Sequence, residues 1–265
     1  MERYVQFVVG SWQLAVISWQ FLVMKRYYIL VCSLVVSWLL ACSCTRQPKK
    51  IMLQGLAQGS YYAVTYFDEQ GRNFQREIDS IFRAVDLSIN LWVDSSVISK
   101  VNRNEDVTLD DIFIDNFNIA QQAAALSGGY FDPTVSPIVA AWGFSNKSGD
   151  SITPQLIDSL KLLVDYRKIR IEDGQVIKAD PAMKLDFNAI AQGYTSDRIA
   201  GFLESRGIRN YLVDTGGEIM AKGGKPNGDP WIVGIEKPAG DGISGGGYQA
   251  VVNPLLLEQG KEGAA

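Results

Sequence analysis

The sequence predicts an α+β fold. Strand-like alternation and amphipathic helical stretches both occur along the chain, and they do not follow one another in a regular βαβ beat. The length of 265 residues with a 47% hydrophobic fraction is enough for one good-sized core or two packed lobes.

The elements follow in order. Alternation over Tyr61–Phe67, followed by Glu69-Gln70-Gly71, predicts a strand ending in a turn. Ile78, Ile81, Phe82 and Val85 fall at i, i+3, i+4 and i+7, the spacing of one helix face running to about Leu87. A short helix is expected over Val97–Asn102. A longer one is expected through Ile112–Leu126, stopped by Ser127-Gly128-Gly129, where glycine takes the left-handed conformation that closes a helix. Thr153-Pro154 is an N-cap with proline at the first helical position. Arg167–Ile171 and Gln175–Lys178 flank Glu172-Asp173-Gly174 as a hairpin. Lys184–Phe187 reads as a strand breaking into a helix from about Ala189 to Arg206, capped by Gly207. Strands are expected over Asn210–Val213, Glu218–Ala221 and Trp231–Ile235, with Asp214-Thr215-Gly216-Gly217 as a turn.

Composition excludes several chemistries. A net charge of -4, with basic residues dispersed among acidic ones, supplies no stripe for nucleic acid. With no histidine there is no Ser-His-Asp triad and no imidazole-ligated metal within these residues. Cys32, Cys42 and Cys44 all lie near the N-terminus, which leaves the predicted body without a disulfide framework or thiolate metal site.

The N-terminal region reads as an address. Met24-Lys25-Arg26, an apolar run over Tyr27–Leu40 and Ala41 before Cys42 match a secretory signal over residues 24–41. Leu39-Leu40-Ala41-Cys42 resembles the bacterial lipobox, which makes Cys42 the acylated anchor, with Cys44 the alternative. Residues 1–23 read as an upstream mis-start, and residues 42–51 as a short basic tether. Because Val5–Val23 is also apolar, a retained transmembrane helix is the second reading. The expected location is outside the cytoplasm, on the periplasmic side or outer surface of a bacterial membrane.

Four ordered segments carry a family resemblance: Ala57-Gln58-Gly59-Ser60, Trp92 with Ser96-Val97-Ile98-Ser99, Phe131–Val135, and Leu185–Tyr194. With Val213–Ile219 and Pro230–Ile235 they resemble the ApbE family of flavin transferases over residues 52–238, followed by a divergent glycine-rich tail over 239–265. The resemblance implies two intimately packed α+β lobes with FAD between them. It implies magnesium-dependent cleavage of FAD, transfer of FMN to a threonine or serine hydroxyl of an acceptor flavoprotein, and release of AMP. The acceptors implied are flavoproteins of membrane electron-transfer complexes carrying Asp-x-x-(Ser/Thr)-Gly-Ala-(Ser/Thr).

By the same resemblance, Gln58, Gly59, Ser60, Trp92, Tyr130, Phe131, Asp132, Asp186 and Gln192 are the FAD-binding candidates, with Trp92 stacked on the flavin. The backbone carbonyl of Ala189 is the implied magnesium ligand. Trp92, Gln58 and Gln192 depart from the usual pattern, and Gln192 stands where lysine is common, removing a positive charge beside the diphosphate. Blander roles remain open: Asp186 or Asn188 as a helix N-cap, Trp92 as a packed loop aromatic, Asp132-Pro133 as a turn. The family's histidine-bearing segment and its later Asp-Ala-x-x-Thr segment are not found in this sequence, so the catalytic residues are not identified and a C-terminally incomplete domain is expected. Two further functions follow from that: an FAD pyrophosphatase giving FMN and AMP, and a lipoprotein that holds flavin without turnover.

Overall fold

The computed structural model describes residues 24–29, 33, 47–143, 152–236 and 250–251. It divides at Gln47–Pro48 into an N-terminal unit and a body. In the former, residues 24–29 are helical, and no helix among the described residues is long and apolar enough to cross a membrane. The cleavage site, Cys42 and all of the glycine-rich tail except Ala250–Val251 lie outside the described residues.

The body is built on a four-stranded antiparallel sheet in the order β1 (Lys49–Ala57), β2 (Ser60–Asp68), β5 (Tyr211–Thr215), β6 (Glu218–Lys222). Alternation fixes which face is covered. Tyr62, Val64 and Tyr66 of β2 and Tyr211 and Val213 of β5 point inward, and all are buried. Strand β1 takes in Lys49-Lys50-Ile51, the end of the expected tether: these residues pair with Asp68, Phe67 and Tyr66. Two lysines opening an edge strand protect an otherwise bare ladder.

Two helices cover the sheet. Helix α1 (Gln75–Ile89) brings Ile78, Phe82, Val85 and Ile89 inward, and α6 (Asn188–Ser205) brings Ile199 and Leu203. Between them lie α2 (Val97–Asn102), α3 (Asp111–Leu126), α4 (Ser136–Ala141), α5 (Pro154–Lys161) and the hairpin β3 (Ile169–Glu172) and β4 (Gln175–Lys178). The caps act as their residue types predict: Ser96 Oγ accepts from Ser99 N at 3.2 Å, and Thr153 Oγ1 from Leu156 N at 3.2 Å. Helix α3 ends at Gly128 and Gly129, whose N–H groups donate to Ala125 and Ala124, and α6 ends at Gly207 and Ile208, which donate to Glu204 and Leu203.

The apolar side chains form two clusters. One joins the sheet to the first half of α1 and the second half of α6; the other joins α2, α3, β3 and Met183, Leu185 and Phe187 to the second half of α1 and to Tyr194. Both long helices therefore belong to both clusters, which gives the two packed lobes expected. Tyr62 adds a polar tie: its ring lies against Gly55 of β1, and its hydroxyl donates to Asp79 Oδ1 at 3.0 Å and accepts from Gln75 Nε2 at 2.6 Å.

Three expectations are corrected. Lys184–Phe187 is not a strand: only Lys184 makes a bridge, to Val135. Leu185 instead receives both its hydrogen bonds from one side chain, Asn102, whose Oδ1 accepts from Leu185 N at 2.7 Å and whose Nδ2 donates to Leu185 O at 2.8 Å. The turn before β6 contains only Gly216-Gly217, because Asp214 and Thr215 still pair with Ile219 and Glu218. Trp231 is not in a strand; β7 begins at Ile235 and pairs Ile235–Glu236 with β8, Ala250–Val251. The Trp231 indole donates to Lys222 O at 3.0 Å and its ring meets Phe67 at 5.8 Å, so this stretch is held by a side chain rather than by a ladder.

Candidate functional site

Both tight turns of the sheet lie at one end. The first, Gln58-Gly59, joins paired residues Ala57 and Ser60, and a two-residue hairpin of this hand needs positive φ at both positions. Glycine takes +73° without strain, but Gln58 at +52° carries a cost. Its side chain offsets that cost: Gln58 Nε2 donates to Thr195 Oγ1 at 3.0 Å, and the Thr195 hydroxyl donates to Ala191 O at 2.7 Å. The turn is thereby fastened to the second turn of α6.

The second turn lies beside it. Gly216 N donates to Tyr61 O at 2.9 Å, and a Cβ on Gly216 would sit 2.6 Å from Gln192 Nε2 and 3.0 Å from Ser60 Oγ. Gln192 therefore lies flat across a glycine that leaves room for it. Thr215 Oγ1 donates to Gln192 O at 3.0 Å and touches Ser196 Oγ, which ties this part of α6 to the sheet from beneath.

The opposite wall is the C-terminal end of α1. Asn90 leaves the helix in an extended conformation, holds Asp86 Oδ1 through Nδ2 at 2.9 Å, and accepts from Trp92 N at 2.8 Å through Oδ1. Ser96 Oγ donates to Asn90 O at 2.8 Å and closes the loop. Trp92 is thus held by its backbone while its indole stays 56% exposed. Gln58, Gly59, Asp86, Trp92, Asn188 and Gln192 line an open cleft of about 560 Å³, with Val85, Ile89 and Ala191 as its apolar floor. That volume lies in the range of small-molecule and cofactor sites.

The start of α6 forms the remaining side. Asp186 is buried; its Oδ1 accepts from Asn188 N at 2.8 Å, and its own N–H donates to Pro133 O at 2.8 Å. Burial pushes its carboxyl above the usual carboxylate range, against the lowering effect of the Asn188 bond. The carboxyl thus takes up the N–H of the first helical residue from just outside the helix, and the Pro133 bond joins it to the Tyr130–Asp132 segment. In that segment Tyr130 is fully exposed and Phe131 packs against the helical cluster. Asp132 is committed to its own loop: Oδ1 accepts from Thr134 N and Oγ1 at 2.8 and 2.6 Å, and Oδ2 from Tyr166 N at 2.9 Å.

Of the nine FAD-binding candidates, Gln58, Gly59, Trp92 and Gln192 line the cleft, whereas Ser60, Tyr130, Phe131, Asp132 and Asp186 do not. Asp86, Asn90 and Asn188 line it and were not among those candidates; the polar i, i+4 pair Asp86 and Asn90 at the end of an amphipathic helix was the available signal. Among the described residues no group of three Asp, Glu, Cys or His side chains could hold a metal ion. The Ala189 carbonyl, in the first turn of α6, is one ligand at most, so these residues do not by themselves make a magnesium site.

The FAD:protein FMN transferase of Vibrio cholerae is 29% identical over 82% of this chain and 67% of its own length. That of Haemophilus influenzae is 32% identical over 76% of this chain and 62% of its own. The chain thus spans about two thirds or less of the curated relatives it matches. Among solved structures, the flavin transferase ApbE from Vibrio cholerae superposes with a TM-score of 0.67 at 28% identity, covering 72% of this chain and 65% of that one. The apo form of the Pseudomonas stutzeri flavinyl transferase ApbE gives 0.67 at 29%, covering 71% and 66%. The ApbE family model matches residues 58–258, a span that opens on the turn residue Gln58 and takes in the whole of α6 and both glycine turns. The chain belongs to the ApbE family.

Proposed function

We propose that this chain binds FAD in the cleft between α1 and α6 and belongs to an FAD:protein FMN transferase. The observation that carries the reading is convergence: a hairpin turn, a loop aromatic and a helix start, far apart in sequence, meet at one cleft of about 560 Å³ within the family's matched span. Trp92 offers its exposed indole as a stacking face for the isoalloxazine ring. The start of α6 directs its dipole toward the diphosphate, and Gln192 supplies a neutral amide beside it. Transfer forms a bond between an acceptor hydroxyl oxygen and the FMN phosphorus as the bridging P–O bond breaks. AMP leaves with the bridge oxygen, and the hydroxyl proton passes to solvent.

Magnesium, bound with the diphosphate, would neutralise the charge developing on the phosphates. The protein is further proposed to be exported and acylated at Cys42, and to act on flavoproteins of membrane electron-transfer complexes. The test is titration of FAD into the purified chain with and without magnesium, followed by assay of AMP and of flavin fixed to a peptide bearing Asp-x-x-Thr-Gly-Ala-Thr. Magnesium-dependent AMP release with a flavinylated peptide supports the reading. AMP release with no flavinylated peptide replaces it with FAD hydrolysis, and absence of FAD binding removes it.

A further inference from the structure

The sheet has a polar axis. Pairings place Lys49, Asp68, Tyr211 and Lys222 at the end opposite the two turns. Nine-residue strands rise about 3.4 Å per residue, which sets this end roughly 27 Å from the cleft end. The C-terminus of α6 joins it: Arg72 Nη2 donates to Arg206 O at 3.0 Å, Lys222 pairs with Glu204 at 2.8 Å, and Gly224 N donates to Asn210 Oδ1 at 3.2 Å.

Charge follows the same axis. Arg72 and Lys222 are committed to Asp68 and Glu204, but exposed Lys49, Lys50, Arg206 and Arg209 form no ion pair among the described residues; Glu69 and Glu77 are acidic residues of the same region. The Arg206 guanidinium lies over the Phe202 ring at 5.1 Å. Asp86, Asp214 and Glu218 stand at the other end. This segregation occurs in a chain whose net charge is -4. Strand β1 also begins at the basic end, so the polypeptide preceding Lys49 leaves the body there.

We propose that the basic end of the sheet docks on an anionic lipid surface and holds the cleft away from it. A negative leaflet attracts Lys49, Lys50, Arg206 and Arg209 and repels the acidic cleft end, so charge alone selects one orientation. The chain's exit at the same end makes this orientation compatible with an anchor at Cys42. The cleft then opens some distance above the bilayer, toward the extramembrane part of an acceptor. The inference is independent of flavin chemistry and rests on the proposed anchoring only for bringing the body within reach of lipid.

The test uses the full chain mixed with vesicles of phosphatidylcholine alone or of phosphatidylcholine with phosphatidylglycerol. Flotation with neutral vesicles reads the anchor, and the ratio of anionic to neutral flotation reads the docking surface. Each basic side chain near such a surface contributes about fivefold, so replacing Lys49, Lys50, Arg206 and Arg209 by glutamine should lower that ratio by several hundredfold. In the unaltered chain, amide exchange over residues 69–73 and 206–210 should slow on anionic vesicles and recover in about 1 M salt, where the Debye length is about 3 Å, while 215–219 stays unchanged. Equal flotation with both vesicles, flotation with neither, or protection at 215–219 in place of the basic end overturns the proposal.

Discussion

Asn102 carries a structural load that a single substitution exposes. Its side chain is buried and satisfies both the N–H and the C=O of Leu185, which is itself buried in the segment leading into α6 and the cleft. Asn102→Ala leaves those two main-chain groups without partners. At about 1–3 kcal/mol for each orphaned group the loss is about 2–6 kcal/mol. For a body of this size a loss near 3 kcal/mol lowers Tm by about 6–12 °C. Asn102→Asp separates the two bonds: the acceptor for Leu185 N is kept, while a carboxylate oxygen faces the Leu185 carbonyl. Protonation restores a donor, so the deficit of this variant should shrink on acidification. Thermal melts of the three chains across pH, with FAD affinity measured alongside, provide the assay. An Asn102→Ala variant that melts with the parent, or an aspartate variant whose deficit does not change with pH, refutes the reasoning.

The remaining expectations concern the cleft. Gly216→Val adds atoms at +65° backbone φ and 2.6 Å from the Gln192 amide, so FAD affinity measured by flavin fluorescence should fall at least tenfold; unchanged affinity removes Gln192 from the site. Trp92→Ala removes an exposed ring, so Tm should stay within about 2 °C while FAD binding weakens roughly tenfold, as the loss of aromatic stacking and its area implies. Asp186 is raised by burial, so its contribution to stability is present below the unfolded carboxylate range and is lost as pH climbs through the raised value. Asp186→Asn cannot ionise and should therefore gain on the parent as pH rises above the unfolded carboxylate range near about 4; a pH-independent difference counts against the assignment.

Local rules made much of the fold legible. The spacing of Ile78, Phe82 and Val85 identifies the buried face of α1, Ser96 and Thr153 act as caps, and Gly128 and Gly207 stop α3 and α6. What escaped was nonlocal. Leu185 takes its partners from a side chain 83 residues away, and no pattern within Lys184–Phe187 announces that. Trp231 looks like a strand residue because it is large and apolar, yet an indole bond and one aromatic neighbour hold it. Strand β1 was hidden by its edge position, since Leu53 is its one buried residue. In the site, Gln58 and Gln192 were found as motif positions; that Gln58 fastens a turn through Thr195, and that Gln192 needs Gly216 beneath it, depends on distances a sequence does not contain.

The sharing of α1 and α6 by both apolar clusters has a mechanical consequence. The cleft is a seam whose walls are the two members that stitch the halves together, so prying it open would tear both cores at once. Such a mouth does not swing; it stays set before its guest arrives, and little ordering cost is left for binding. The same stitching removes any weak joint at which one half could melt alone, so heat should dismantle the body in a single step.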